Sequence, residues 1–139
     1  TDIDVRKFNT SKVTTMYNMF ANCSSLSSID LSDFNTSNVV YMHGMFLSCS
    51  SLTSLDLSNF ITTKTTDFGA MFRYCSGLTR LYLNNFTFTV ANNYGYMFSS
   101  MKSSGVTIYV KDATARTWIL NNSNGRPSTW STRNVVIAS

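Results

Sequence analysis

The sequence predicts an α/β solenoid, in which similar units stack so that short strands form one parallel sheet and helices lie behind it. The main observation is a 26-residue repeat, which is clearest at residues 34–57. Residues of one type recur at this interval in four columns. These are Phe8, Phe34, Phe60 and Phe86; Met19, Met45, Met71 and Met97; Phe20, Phe46, Phe72 and Phe98; and Cys23, Cys49 and Cys75. A fixed period of this length is typical of solenoids, because one unit cannot bury its apolar face alone.

A helix is predicted in the first half of each unit. In the first unit Val13, Met16, Met19, Phe20 and Cys23 follow one another at helical spacings, which places them on one face of a helix of about three turns. A hydroxyl residue precedes the stripe in every unit, where it can accept from the free N–H groups of a helix start. These residues are Ser11, Ser37, Thr63 and Thr89.

A short strand is predicted in the second half of each unit, where the pattern Leu-x-x-Leu-x-Leu recurs with Ile29 in one copy. Its members are Leu26, Ile29 and Leu31; Leu52, Leu55 and Leu57; and Leu78, Leu81 and Leu83. Their alternation with polar residues is typical of a strand with one buried face. A helix is roughly 10 Å wide and strands are about 4.8 Å apart, so the stack is expected to curve with the sheet on its concave side.

The repeat is predicted to occupy residues 1–101, and residues 102–139 are predicted to form a C-terminal cap of the same domain. The frame shifts by one residue near Gly105, after which residues 106–110 read as one more strand. Asp112 is placed to cap a short helix, and residues 135–137 form a last candidate strand. Both tryptophans, Trp118 and Trp130, lie in this part, and large aromatic residues suit the covering of a stack end.

Composition and charge narrow the classes of partner. The chain has 21 Ser, 18 Thr and 14 Asn but no Glu or Gln, which is common on extracellular repeat proteins. The formal net charge is +4, and the cations after residue 76 are scattered, so no nucleic-acid partner is expected. No apolar run approaches the roughly 18 residues that span a bilayer, so no membrane insertion is expected. Residues 3–8 match residues 29–34, which indicates a piece of a longer protein whose signal and anchor lie elsewhere.

The unit at residues 34–58 reads Phe-Asn-Thr-Ser-x-Val-x-x-Met-x-x-Met-Phe-x-x-Cys-x-x-Leu-x-x-Leu-Asp-Leu-Ser. It resembles the 26-residue repeat of bacterial surface proteins called BspA-like leucine-rich repeats, also catalogued as a domain of unknown function in surface lipoproteins. Residues 105–113 resemble the cap that often ends such arrays. The resemblance covers about residues 3–112, and the fourth unit departs from it with Phe88 and Tyr94 in place of Thr and Met.

This resemblance implies a right-handed leucine-rich-repeat solenoid with a concave parallel sheet and convex helices. It implies a partial first unit followed by about 3.5 repeats before the cap. It further implies a secreted or cell-surface bacterial protein, often engaged in adhesion to host matrix proteins or other cells. Catalytic residues and cofactors are not implied.

The cysteines and the single histidine are the candidate chemical sites. Three cysteines at one per unit, on the predicted apolar face, favour buried free thiols over disulfides. A zinc site would need ligands at short spacings or further histidines, and neither is present. His43 has no acidic neighbour in sequence and is expected to be a solvated surface residue, so no nucleophile has its usual base and the chain is expected not to be an enzyme.

An aspartate column is predicted on the outward side of the strands, at Asp4, Asp30 and Asp56. Hydrogen bonds from each carboxylate to the backbone or hydroxyls of a turn are the favoured explanation. A calcium ion between the carboxylates is the alternative.

The candidate ligand-binding site lies on the predicted concave strand face, where the outward residues depart from the repeat. It comprises Arg80, Tyr82, Asn84, Tyr109 and Lys111, together with Asp30 and Asp56. Tyr and Arg are favoured at protein interfaces. Two functions therefore remain open: a binding module for a host or neighbouring-cell protein or glycan, and a structural spacer with no ligand of its own. An oligomer is expected only through the uncapped N-terminal edge.

Overall fold

The computed structural model describes residues 2–139, which form six short strands and one α-helix. In chain order these are β1 (Asp2–Ile3), β2 (Ser28–Ile29), β3 (Ser54–Asp56), β4 (Arg80–Leu83), β5 (Thr107–Val110), α1 (Ala113–Asn121), a single 3₁₀ turn (Ser123–Gly125) and β6 (Val135–Ile137). The strands lie in or beside the Leu-x-x-Leu-x-Leu segments and in the cap.

All described strand pairs are parallel. Strands β1 and β2 form one small sheet, and β3, β4, β5 and β6 follow one another in a second. Ser54 pairs with Arg80, 26 residues later, whereas Arg80 pairs with Thr107, 27 residues later. The extra residue near Gly105 therefore moves the strand of the cap by one position along the chain without breaking the register.

The prediction of a helix in the first half of each unit is wrong. Residues 11–23 and their counterparts form successive turns and isolated β-bridges, and α1 in the cap is the only α-helix in the described part of the chain. The amides of Met19 and Ala21 donate to the carbonyls of Met16 and Asn18, three residues back. The alternate amides, those of Met16, Asn18, Phe20 and Asn22, make no such bond within their own unit.

Those remaining amides donate to the next unit. Met16 donates to the carbonyl of Tyr41, and Asn18 to that of His43, over 2.8 and 2.9 Å. Parallel bridges join Thr15, Tyr41, Asp67 and Asn93 in the same way. We call residues 15–22, 41–48, 67–74 and 93–100 the turn ladder. Because adjacent units are hydrogen-bonded on this side as on the strand side, the predicted reason for a curved stack, wide helices behind narrow strands, does not hold.

Backbone conformation explains why no helix forms. Two positions of every unit have a positive φ, between 52° and 63°, which the right-handed helix excludes. They are Asn18, Gly44, Ala70 and Tyr96, and Asn22, Ser48, Tyr74 and Ser100. A series of turns also repeats its buried positions every three to four residues, so its apolar spacing imitates that of a helix.

The predicted N-cap hydroxyls have another function. The Ser37 hydroxyl donates to the side-chain oxygen of Asn35 over 2.7 Å, and the Ser37 amide donates to the same oxygen over 3.1 Å. Ser11 makes the same pair of bonds to Asn9. These serines therefore close a short turn rather than begin a helix.

The core lies between the strands and the turn ladder, where the leucines of the strands meet the phenylalanines and methionines of the turns. Side chains of one column stack between units, with ring centroids 6.0 Å apart for Phe46 and Phe72 and 6.4 Å apart for Phe60 and Phe86. Buried threonines link the same units. The Thr36 hydroxyl donates to the carbonyl of Ile61 and accepts from its amide, and Thr10 and Thr62 make equivalent pairs of bonds.

The cap closes the stack at its C-terminal end. The Asp112 carboxylate accepts from the Ala115 amide over 2.8 Å, which confirms the predicted helix cap and lowers the pKa of Asp112. Phe88 occupies the position of the linking threonines and stacks on Trp118 with ring centroids 3.9 Å apart. Trp130 is buried against Phe98.

Candidate functional site

The outward residues of β4 and β5 form the centre of the candidate site. Leu81, Leu83 and the inward residues of β5 are fully buried, whereas Tyr82 and Tyr109 are half-buried and Arg80 is exposed. This alternation follows from the two-residue period of a strand, which sends successive side chains to opposite faces. The polar residues therefore share one surface, which we call the strand face.

Register brings the two predicted tyrosines together. Tyr82 pairs with Tyr109 across β4 and β5, and their rings stack with centroids 4.6 Å apart and planes within 6° of parallel. The row continues to Asp56 on one side and Val136 on the other. Cross-strand aromatic pairs of this kind stabilise a sheet and also present a rigid apolar surface with hydroxyl groups at its edge.

Two cations flank the tyrosine pair. Arg80 begins β4 and makes no ion pair with another residue of the described chain. Lys111 follows β5, and its Nζ lies 3.6 Å from a carboxylate oxygen of Asp112. Asn84 follows β4 at the same end, and its side-chain oxygen is buried without a hydrogen-bond partner among residues 2–139. The strand face thus offers an unpaired positive charge at Arg80, whereas the unsatisfied acceptor of Asn84 lies below the surface.

The aspartate carboxylates accept hydrogen bonds from the turns of their own units. The Asp30 carboxylate accepts from the Ser32 amide over 3.0 Å and from its hydroxyl over 2.7 Å, and Asp56 accepts from the Ser58 amide over 2.9 Å. The bonds from Ser32 lower the pKa of Asp30. The favoured explanation, a carboxylate bonded to a turn, is therefore the geometry observed, and Asp30 directly follows β2 of the other sheet and does not lie in the tyrosine row.

The first aspartate of the column has an additional partner. Arg6 donates to both Asp4 oxygens from its side chain, and its amide adds a third bond. These bonds lower the pKa of Asp4 to about 2. Within residues 2–139 no three His, Cys, Asp or Glu side chains lie together in a group that could hold a metal ion.

A cavity of about 320 Å³ lies between the fourth unit and the cap. Phe86, Phe88, Ala115 and Trp118 form its apolar wall, and Lys111 lies at its edge. Sequence reasoning did not predict this cavity. The replacement of the linking threonine by Phe88 was the available signal, because it marks where the repeat stops bonding to a next unit.

The turn ladder carries a second group of exposed aromatic residues that sequence reasoning did not single out. Four of its five tyrosines are between 45% and 58% exposed, and they are Tyr17, Tyr41, Tyr74 and Tyr96. In a helix some of these positions would have lain beside the core. No equivalent position of another unit carries a tyrosine, and this departure from the repeat was the signal that could have identified them.

His43 is on the turn ladder and is not simply solvated. Its ring stacks on Tyr17 at 5.1 Å, and its Nδ1 lies 3.3 Å from a carboxylate oxygen of Asp67. The expectation of a simply solvated histidine is therefore wrong, although His43 has no acidic neighbour in sequence. Asp67 is one unit away, and the 26-residue stacking brings it beside the histidine.

The three cysteines are free thiols, as predicted, and two of them bond between units. Cys49 donates to the carbonyl of Phe20 and Cys75 to that of Phe46, over 3.1 and 3.0 Å. Burial raises the pKa of Cys49 and Cys75 to about 12. Cys23 is only half-buried.

Thiol labelling of the native chain at pH 8 is therefore expected to modify Cys23 alone at first. Thiolate is the reactive form, and burial removes both thiolate and access at the other two positions. An Ellman assay should count one fast thiol in buffer and three in denaturant. Fast labelling of two or three thiols in buffer would contradict the buried geometry.

Comparison with known proteins gives a family but names no activity. Residues 1–109 match the family described as Mycoplasma protein of unknown function, DUF285. Neither the curated proteins nor the solved structures contain a significant match. No helix in residues 2–139 is long and apolar enough to cross a membrane. This match covers more than half of the chain, so the chain belongs to the family described as Mycoplasma protein of unknown function, DUF285.

Proposed function

We propose that the chain is a stretch of a BspA-like leucine-rich-repeat solenoid that acts as a non-catalytic binding module. The consensus at residues 34–58 and the 26-residue register of the parallel strands support the repeat assignment. In this proposal the turn ladder replaces the convex helices. Binding takes place on the strand face rather than in a deep cavity.

The stacked Tyr82–Tyr109 pair is the observation that carries the proposal. Both rings are half-buried, so they are held rigidly and lose little conformational entropy when a ligand covers them. Arg80 supplies an unpaired cation beside them, and Lys111 supplies a second, partly neutralised one. Tyrosine and arginine are enriched among the residues that dominate protein interfaces.

The proposed setting is the outside of a bacterial cell, with a host or neighbouring-cell protein or glycan as the ligand. A surface rich in Ser, Thr and Asn and without Glu or Gln supports this setting. His43 is engaged by Tyr17 and Asp67, which supports a structural function for the one histidine.

Replacement of both tyrosines, Tyr82→Ala with Tyr109→Ala, is expected to weaken ligand capture at least tenfold. Loss of a central aromatic residue costs about 2 kcal/mol or more at an interface, which corresponds to about a thirtyfold change in Kd. The measurement is binding of the purified chain to immobilised extracellular-matrix proteins and to a glycan array, followed by titration of each ligand found.

The matched control is Tyr17→Ala with Tyr41→Ala, which removes two exposed tyrosines from the turn ladder. This control should keep the wild-type affinity, and circular dichroism should show both double variants folded. Equal binding by the Tyr82/Tyr109 variant and the wild type would place the ligand elsewhere.

A spacer or assembly element is the second candidate, and one observation favours it. At the N-terminal edge Phe8 is 51% exposed and Met19 is 37% exposed, whereas their counterparts Phe34 and Met45 are 4% and 0% exposed. Two core columns are thus exposed at this edge, where an apolar surface of another copy of the chain can stack. A wild-type chain that captures no matrix protein, cell or glycan would favour this candidate.

A further inference from the structure

Three positions of the turn ladder carry side chains that differ from those at every equivalent position. Arg73, Tyr74 and Tyr96 replace small or uncharged residues of the other units. The counterparts of Arg73 are Ala21, Leu47 and Ser99, those of Tyr74 are Asn22, Ser48 and Ser100, and those of Tyr96 are Asn18, Gly44 and Ala70. We call these three residues the arginine clamp.

The clamp holds one guanidinium between two rings. The Arg73 Cζ lies 4.7 Å from the ring centroid of Tyr74 and 4.9 Å from that of Tyr96, which comes from the next unit. The Arg73 Nη2 also donates to the Tyr74 hydroxyl over 3.1 Å. Stacking on two aromatic rings fixes the plane of the guanidinium before any ligand arrives.

Both tyrosines adopt a backbone conformation that bulky residues rarely take. The φ angles of Tyr74 and Tyr96 are both 61°, in the left-handed region. The equivalent residues of the other units share this conformation, and all of them are Gly, Asn, Ala or Ser. The conformation therefore belongs to the repeat, and only the size of the two tyrosines is particular to the clamp.

The charge of Arg73 has no partner in the described chain. No carboxylate of residues 2–139 lies within ion-pair distance of it. Its Nε–H is buried and donates to no partner there, and its only described side-chain hydrogen bond is the one from Nη2. Arg73 is still partly exposed, so the guanidinium presents unused N–H groups beside two exposed rings.

We propose that the arginine clamp binds a carboxylate of a protein partner. A planar guanidinium with free N–H groups matches a carboxylate, with which it forms two parallel charge-assisted hydrogen bonds. Exposed tyrosines around an arginine form the composition found at the centres of protein interfaces, where they exclude water from the ion pair. The partner residue is an Asp or Glu side chain on an acidic surface segment.

This site is separate from the strand face and does not depend on the function proposed for it. Arg73, Tyr74 and Tyr96 belong to the turn ladder, whereas Tyr82 and Tyr109 lie on the outward side of the strands. The two proposals therefore fail independently, because each has its own variants.

The test uses an octapeptide of Glu, acetylated, amidated and labelled with fluorescein, and the matching octapeptide of Gln. The wild-type chain is expected to raise the anisotropy of the Glu peptide at low salt and not that of the Gln peptide. Arg73→Gln should weaken binding of the Glu peptide at least tenfold, because it removes the charge and most of the donors. The Arg80→Ala with Lys111→Ala variant should keep at least half of the wild-type affinity.

Two results would overturn the proposal. One is loss of peptide binding in the Arg80/Lys111 variant with normal binding by Arg73→Gln, which would place acidic ligands on the strand face. The other is an Arg73-dependent response to chondroitin sulfate with none to the Glu peptide, which would assign the clamp to a sulfated glycan.

Tyr96→Asn separates binding from folding, because Asn18 occupies the equivalent position in the first unit. Asparagine relieves the left-handed strain and removes one ring of the clamp, so Tm should be unchanged or higher while peptide affinity falls about threefold to tenfold. A Tm several degrees lower, with unchanged peptide affinity, would show that the clamp serves the fold and would contradict the proposal.

Discussion

Replacing Phe60 by Ala is expected to lower the free energy of unfolding by about 3–5 kcal/mol. Its side chain is fully buried, and its ring stacks between those of Phe34 and Phe86 at 6.5 and 6.4 Å. The substitution leaves a cavity in the middle of a column that runs through four units. Since a domain of this size has a total stability of about 5–15 kcal/mol, a large fraction of it is lost. Urea unfolding followed by circular dichroism measures the change.

Phe8→Ala is the matched control for this experiment. Phe8 occupies the same position of the repeat but is 51% exposed, so its removal should cost about 1 kcal/mol or less. Similar losses for Phe8→Ala and Phe60→Ala would contradict the packing of the column.

Replacing Thr36 by Val is expected to cost about 2–4 kcal/mol, although the two side chains have nearly the same shape. Thr36 is 1% exposed, and its hydroxyl donates to the Ile61 carbonyl over 3.1 Å and accepts from the Ile61 amide over 2.8 Å. Valine removes the partner of both backbone groups of Ile61 at a partly buried position, and each group left unsatisfied costs about 1–3 kcal/mol. The same urea unfolding experiment measures this loss.

Thr36→Ser keeps the hydroxyl and removes only a methyl group, so it should cost about 1 kcal/mol. A serine variant as unstable as the valine variant would show that the methyl group, and not the two hydrogen bonds, is what the site requires. Together the two substitutions test whether units are joined through side-chain hydrogen bonds as well as through packing.

The strand side of the candidate site could be anticipated from the sequence. The 26-residue interval and the Leu-x-x-Leu-x-Leu alternation predict which residues point outward, and the outward positions of the fourth unit depart from the repeat at Arg80 and Tyr82. The stacking of Tyr82 on Tyr109 needed one more fact, the register across the one-residue shift at Gly105. That register depends on the backbone bonds of β5 rather than on any periodic signal.

The turn side of the molecule could not be anticipated in the same way. Apolar residues at helical spacings predict a helix, but here the amides of Met16 and Asn18 bond to the next unit instead of within their own. A helix satisfies its own backbone, whereas a turn ladder needs a neighbour for every second amide. The choice between them therefore depends on the presence of a stacked unit, and a local pattern does not report it.

The sequence by itself determined the 26-residue interval, the apolar columns that are buried, the strand positions and the helix start at Asp112. These features depend on which residue types recur at a fixed interval, because burial requires the same apolar positions in every unit. Only the tertiary structure decided that the turns replace helices, that His43 meets Asp67, and that Tyr96 completes a clamp on Arg73. Each of these three features depends on contacts between residues of different units. Hydrogen bonding between units sets which side chains lie opposite one another.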